Sequence, residues 1–309
     1  MSLSASAILS FTPSFHQSRI SVLRRHTKLP SSPDFLNVRR SWPTHLYSFN
    51  TTPCALQHFH AQHGALLQDA GATALVMAGA YALVLAFDNL TNRNLIEQQN
   101  LSRKLVHVLS GLLFLCSWPI FSTMREARYF AALVPLLNCI RLVINGLSLS
   151  TDEGLVKSVT REGNPDELLR GPLYYVLVLI LCATIFWRES PIGMISLAMM
   201  CGGDGVADIM GRRYGVLKIP YNQQKSWAGS ISMFVFGFLI SVGMLYYYST
   251  LGYFQLDWAW TVERVALVSL VATIVESLPI TDILDDNLSV PLSSMLMAFL
   301  FFGYQYPSR

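Results

Sequence analysis

The chain has 309 residues, 52% of them hydrophobic and only 13% charged, with a mean hydropathy of +0.40. That composition excludes an ordinary soluble domain and indicates a polytopic membrane protein. The formal charge of +3 hides an asymmetry: residues 1–60 hold six Lys/Arg and one acid, Asp34, while the rest holds sixteen Lys/Arg and eighteen Asp/Glu, with no basic, aromatic-interleaved stripe suited to nucleic acid.

Residues 1–60 are Ser-rich and acid-poor, carry Arg24-Arg25 and Arg39-Arg40, and are punctuated by Pro13, Pro30, Pro33, Pro43 and Pro53. This is the composition of an organelle transit peptide, plastid rather than mitochondrial, removed from a membrane domain over 61–309. The apolar start Ile8-Leu9 with Phe11 is too short and broken for a secretory signal. Cys54, Cys116, Cys139, Cys182 and Cys201 stand singly, without CxxC spacing, and read as core residues rather than a disulfide or zinc framework.

From Ala70 the hydropathy rises and falls with the period of bilayer spans. The predicted spans are 70–87, 105–121, 129–147, 172–187, 192–210, 229–249, 263–280 and 290–304, an all-α fold of about seven or eight transmembrane helices. Alternate loops emerge on the same side of a bilayer, so the polar motifs all share one face. That face carries ten Lys/Arg against five on the other, which orients it to the stroma by the positive-inside rule.

The second span opens with Arg103, Lys104 and His107, spaced to share a helical surface. They read either as a membrane-boundary anchor or as groups that bind a phosphate or orient a hydroxyl. In the next loop on this face, Glu167 and Arg170 are spaced for an intrahelical ion pair ahead of Gly171-Pro172.

The stretch from Gly202 to Gly215 is the chemical centre. In a helix, Asp204, Asp208, Gly211 and Gly215 recur at steps of four, three and four and share one face. Two carboxylates offer hard oxygen ligands to Mg²⁺, and Gly203, Gly205, Gly211 and Gly215 allow a polyphosphate to approach the backbone. The alternative is a solvated helix end with glycines of the small-xxx-small packing type. Acids behind so apolar a run favour function, because ionisable groups are costly at membrane depth.

Lys225, Ser226 and Gly229 follow in a loop that resembles a phosphate site but lacks the GxxxxGK[ST] spacing of a P-loop. Glu276 falls inside the seventh span, and Asp285, Asp286 and Asn287 form a last polar cluster, read equally as site or solvated loop.

These residues resemble the polyprenol kinase family, which phosphorylates membrane-dissolved isoprenoid alcohols with CTP. The likeness covers the chain after about residue 65 and is greatest to its plastid phytol-phosphorylating branch. It rests on Ser102 to His107, Glu167 to Leu173, Met200 to Gly211, Lys225 to Ser230, Glu276 to Ile280 and Asp285 to Asn287. In the dolichol kinases of this family a CTP pattern runs D-x-x-A, G, G, K-K-T-x-E-G. Asp204, Ala207, Gly211, Gly215, Lys225 and Gly229 fit, whereas Gln224, Ser226 and Ala228 depart, leaving UTP and ATP open beside CTP.

The resemblance implies Mg²⁺ on Asp204 and Asp208, phosphates held by Lys225, Ser226 and the glycines, and Glu276 or Glu167 orienting the alcohol. It also implies a role in supplying phytol to tocopherol synthesis, with farnesol or geranylgeraniol as alternative acceptors. CDP-alcohol phosphotransferases share an Asp-Gly-x-x-Ala run, but this chain lacks their later aspartates. An ion-coupled transporter is the rival from another class, disfavoured by the one-sided motifs and the lack of paired halves.

Overall fold

The computed structural model describes residues 53–93, 99–150, 152–160, 163–279 and 285–303. The transit segment expected over 1–60 lies outside them as far as residue 52, as does 280–284 of the loop before Asp285. The long helix α1, Pro53–Asn92, leads into α2, Gln99–Ser117, and α3, Ala127–Gly146. A short α4, Glu153–Val159, precedes α5, Gly171–Leu181, and α6, Pro191–Leu197. Then come α7, Gly205–Tyr214, α8, Trp227–Thr250, α9, Trp258–Ser277, and α10, Asp286–Phe302.

Six of the described helical segments are long and apolar enough to cross a membrane: Gln62–Phe87, Ala127–Gly146, Pro165–Phe186, Pro191–Tyr214, Trp227–Thr250 and Trp258–Ser277. They coincide with six of the eight expected spans. The other two fall on α2, whose first turns carry Arg103 and Lys104, and on α10, a shorter apolar helix. The all-α, polytopic reading holds.

The span Pro191–Tyr214 is the most enclosed of the six, which is why Asp204 is buried. Its helix is not uniform. Between α6 and α7, Ala198–Asp204 adopts a π-helix, the wide turn that accompanies functional sites in α-helices. Gly202 and Gly203 lie within that segment, where the absence of Cβ lets α8 close in. Gly203 approaches Gly237, and eight residues on Gly211 approaches Gly229, with 3.4 and 3.5 Å from an ideal Cβ to the facing Cα. Two glycine pairs thus seat this span along α8, as small residues do where helices meet in a membrane.

One element departs from all-helical expectation. Lys218–Ile219 (β1) and Asn222–Ser226 (β2) form an antiparallel ribbon in the α7–α8 loop. Asn222 Nδ2 donates to the carbonyls of Ser277 and Leu278 at 3.1 and 3.2 Å, and Tyr221 Oη lies 2.9 Å from Ser277 Oγ. The ribbon is therefore latched to the end of α9, which fixes where Lys225 points.

At the opposite end of the bundle, Arg188 is not the exposed loop residue that its sequence position suggests. It is buried and donates to the carbonyls of Trp118, Phe121 and Ser122, while Asp69 accepts from the Ser122 amide and hydroxyl at 2.7 and 2.8 Å. This network ties α1 and the α2–α3 turn to the start of α6, satisfying carbonyls that would be costly to leave bare.

Candidate active site

Six side chains distant in sequence converge at the end of the bundle where α2, α7, β2, α9 and α10 meet. Lys104 Nζ lies 3.4 Å from Asp204 Oδ2 and 3.7 Å from Asp208 Oδ2. The step of four between the aspartates does place both on one face, and α2 supplies the cation between them. Asp204 is 3% exposed, so its charge sits largely out of water. Asp208 is more open and also accepts from Arg212 Nε at 2.9 Å.

Lys225 makes the second node. Its Nζ donates to Glu276 Oε1 at 2.5 Å and Asp286 Oδ2 at 2.9 Å, and Ser230 Oγ donates to Glu276 Oε2 at 3.3 Å. Burial pulls the ammonium pKa down, but the charges of Asp286, Glu276 and Asp204 outweigh it and hold it above the usual lysine value. Lys225 is therefore a fixed positive charge. Both oxygens of Glu276 are engaged here, Oε1 by Lys225 and Oε2 by Ser230.

Burial pushes the Asp286 carboxyl up, to about 6, with the Asp204 charge adding to the effect and Lys225 opposing it. Because the raised value belongs to the folded state, its contribution to stability is complete below the ordinary value near 3.8 and is lost as pH climbs through about 6. Asp286→Asn, neutral throughout, is expected to flatten the dependence of Tm on pH across that interval. Thermal melts at stepped pH check this; an unchanged slope would assign it to another group.

The remaining expected residues divide in two. Ser226 caps α8, its Oγ accepting from the Gly229 amide at 3.2 Å, and Asp285 caps α10, its Oδ1 accepting from the Asn287 amide at 2.9 Å. Gly203, Gly205, Gly211 and Gly229 all stand at helix contacts: a Cβ at Gly205 would meet Val108 at 2.3 Å, and one at Gly229 would meet the Ala207 carbonyl at 3.2 Å. Gly215 would press a Cβ to 2.5 Å from Ser226 Oγ. The close backbone approach these glycines permit is thus to neighbouring helices and to the cap of α8.

Arg103, Lys104, His107, Glu167, Arg170, Gly171, Asp285 and Asn287 line the polar end of a cavity of about 1170 Å³ between α1, α2, α3 and α5. His107 is held firmly within it. Its ring packs at a tilt of 39° against Tyr175 with centroids 4.1 Å apart, Tyr175 Oη donates to the His107 carbonyl at 3.0 Å, and the imidazole hydrogen-bonds the Met200 backbone.

Among the described residues, no three His, Cys, Asp or Glu side chains stand together as a metal site. Asp204 and Asp208 are two carboxylates that flank the Lys104 ammonium. That donor set fits Mg²⁺ carried in on phosphates, which typically uses only one or two protein carboxylates.

The chain was compared with known proteins. It is 72% identical over 239 residues to probable phytol kinase 1, chloroplastic, of Glycine max, covering 77% of this chain and 79% of the relative. It is 70% identical over 239 residues to phytol kinase 1, chloroplastic, of Arabidopsis thaliana, covering 77% and 78%, and 65% identical to the probable phytol kinase 1 of Oryza sativa subsp. japonica, covering 78% and 76%. The chain belongs to the phytol kinase family. No family model and no solved structure matches it.

Within this phytol kinase family member, sequence reasoning missed the partnership of Lys104 with both aspartates, the support of His107 by Tyr175, and the ribbon. The first had a signal in the one-face topology of the loops. The second had none, since Tyr175 reads as one more aromatic in an apolar helix.

Proposed function

We infer that this protein is a chloroplast membrane kinase that transfers the terminal phosphoryl group of a nucleotide to the hydroxyl of phytol. The observation that carries this is the position of Lys104, which lines the amphiphilic cavity while pairing with Asp204 and Asp208. The relatives' names supply phytol, and the family resemblance supplies CTP and a place ahead of tocopherol synthesis.

Phosphoryl transfer asks for alignment and for charge on the transferring group. The alcohol oxygen forms a bond to the terminal phosphorus as the bond to the nucleoside diphosphate breaks, and the hydroxyl proton passes to the His107 imidazole, a neutral acceptor at its unprotonated ring nitrogen. Lys104 and Lys225 hold the phosphates from two sides. Asp204 and Asp208 would hold Mg²⁺, which supplies further positive charge on the phosphates. Glu167 and Arg170 flank the cavity mouth and position the alcohol. With the motif face toward the stroma, soluble nucleotide reaches the site while the isoprenoid stays among the helices.

The test is a radiolabel assay on membranes containing the protein, offering phytol, farnesol and geranylgeraniol with CTP, UTP or ATP and Mg²⁺. Labelled phytyl phosphate, formed most rapidly from CTP, is expected. No lipid phosphate from any pair, given correctly inserted protein, would overturn the reading, and ion flux in proteoliposomes would then support the transporter.

A further inference from the structure

The cavity changes character along its length in a way that family membership does not explain. On α2 it is lined by Ser102, Arg103, Lys104, His107 and Ser110, and beyond them by Leu113 and Phe114. On α5 the lining passes from Gly171 and Tyr175 to Val176 and Leu179. From Lys104 to Phe114 is ten residues, a depth of about 15 Å along a helix. The walls at the deep end come from α1 and α3, where Val76, Met77, Ala80 and Val134 face the cavity. The volume, about 1170 Å³, lies just above the range of typical small-molecule sites, roughly 300–1,000 Å³.

Such a chamber suits one kind of ligand, a long apolar chain with a single polar head. The head belongs at the polar end, beside Lys104, His107 and Arg170. The chain then runs down between α1, α2, α3 and α5, away from the carboxylates.

We propose that this cavity is the isoprenoid-tail site and that the tail runs past Ala80 to reach its deep end. The proposal rests on the kinase reading above and adds to it the location of the tail and a residue that bounds its path. Ala80 is placed at depth by its neighbour: a Cβ at Gly79 would lie 3.5 Å from Leu113 Cδ2, so this turn of α1 is level with the apolar end of α2. Ala80 is half-buried and small, and it leaves room that a larger side chain would take. Leu113 stands six residues, about 9 Å, beyond His107 along α2, so the tails of farnesol and phytol both have to pass Ala80.

Two measurements test this on the full chain in its membrane. In the first, phytol with a diazirine at the tail terminus is photolysed in place, and the labelled peptides are identified by mass spectrometry. Label on the Val76–Tyr81 and Leu113–Phe114 peptides, reduced at least fivefold by excess phytol and at least threefold by Ala80→Phe, is the expected result. Label only on outward surfaces, or label that excess phytol does not displace, would show a chamber filled by bilayer lipid and would overturn the proposal.

In the second, phytol turnover is measured in wild type, Ala80→Leu and Ala80→Phe. KM for phytol is expected to rise stepwise, by tenfold or more in Ala80→Phe, while KM for the nucleotide is unchanged. An unchanged phytol KM in both variants would overturn the path past Ala80. Absence of any turnover by the wild type would instead count against the kinase reading, and the photolabel would still report on the tail site.

Discussion

Asp204→Asn is expected to leave a folded, membrane-inserted protein whose formation of phytyl phosphate falls by about 10²–10³-fold. The substitution keeps shape and removes one charge from a carboxylate that is 3% exposed and 3.4 Å from Lys104. Lys104 retains Asp208 at 3.7 Å, so no buried cation is abandoned and the α2–α7 contact persists. What is lost is charge exactly where metal-bound phosphates would meet the alcohol, in surroundings of low polarity that magnify it. Asp208→Asn should cost less, since Asp208 is more exposed and shared with Arg212. Initial rates on matched membranes check both. An Asp204→Asn variant that turns over at the wild-type rate would remove this carboxylate from the chemistry.

The contrast between the two aspartates bears on how the site divides its work. The Lys104 node faces both the cavity and α7, so in the proposed reaction it would join the alcohol to the phosphates. The Lys225 node is held by Glu276 of α9 and Asp286 of α10, and the neighbours of Asp286, Asp285 and Asn287, line the cavity. The two lysines would then reach the phosphates from different elements. With Arg212 on Asp208, four acids stand against three cations, Lys104, Lys225 and Arg212, which leaves one excess negative charge in the cluster.

Much of this was legible beforehand because it is periodic or local. The spans follow from hydropathy, and the shared face of Asp204 and Asp208 follows from a step of four, which the α-helix from Gly205 onward preserves. The ribbon was not legible, since Lys218-Ile219 and Asn222 to Ser226 lack strand alternation and owe their form to the latch of Asn222 on α9. Lys225 with Glu276 and Asp286 was also hidden as a unit, because the partners are separated by a complete span and a loop. The glycines show the converse. Their spacing signals close approach correctly, but what approaches Gly203 and Gly211 is α8, and spacing alone does not distinguish a helix from a polyphosphate.

Lys225→Met should abolish turnover and also destabilise the protein by about 3–5 kcal/mol, because it strands Glu276 and Asp286 without their cation. The two losses have different origins and separate in a triple variant. With Lys225→Met, Glu276→Gln and Asp286→Asn combined, no charge is left unpaired at this node, so stability should return to within about 1 kcal/mol of wild type while activity stays absent. Thermal melts in detergent and radiolabel turnover on the same preparations provide the two readouts. Recovery of both together would make Lys225 a structural cation whose only task is to neutralise α9 and α10. Recovery of stability alone places its positive charge on the phosphates, which is the outcome the geometry favours, since the ribbon latch and two carboxylates hold this one ammonium beside Asp204 in a site already rich in negative charge.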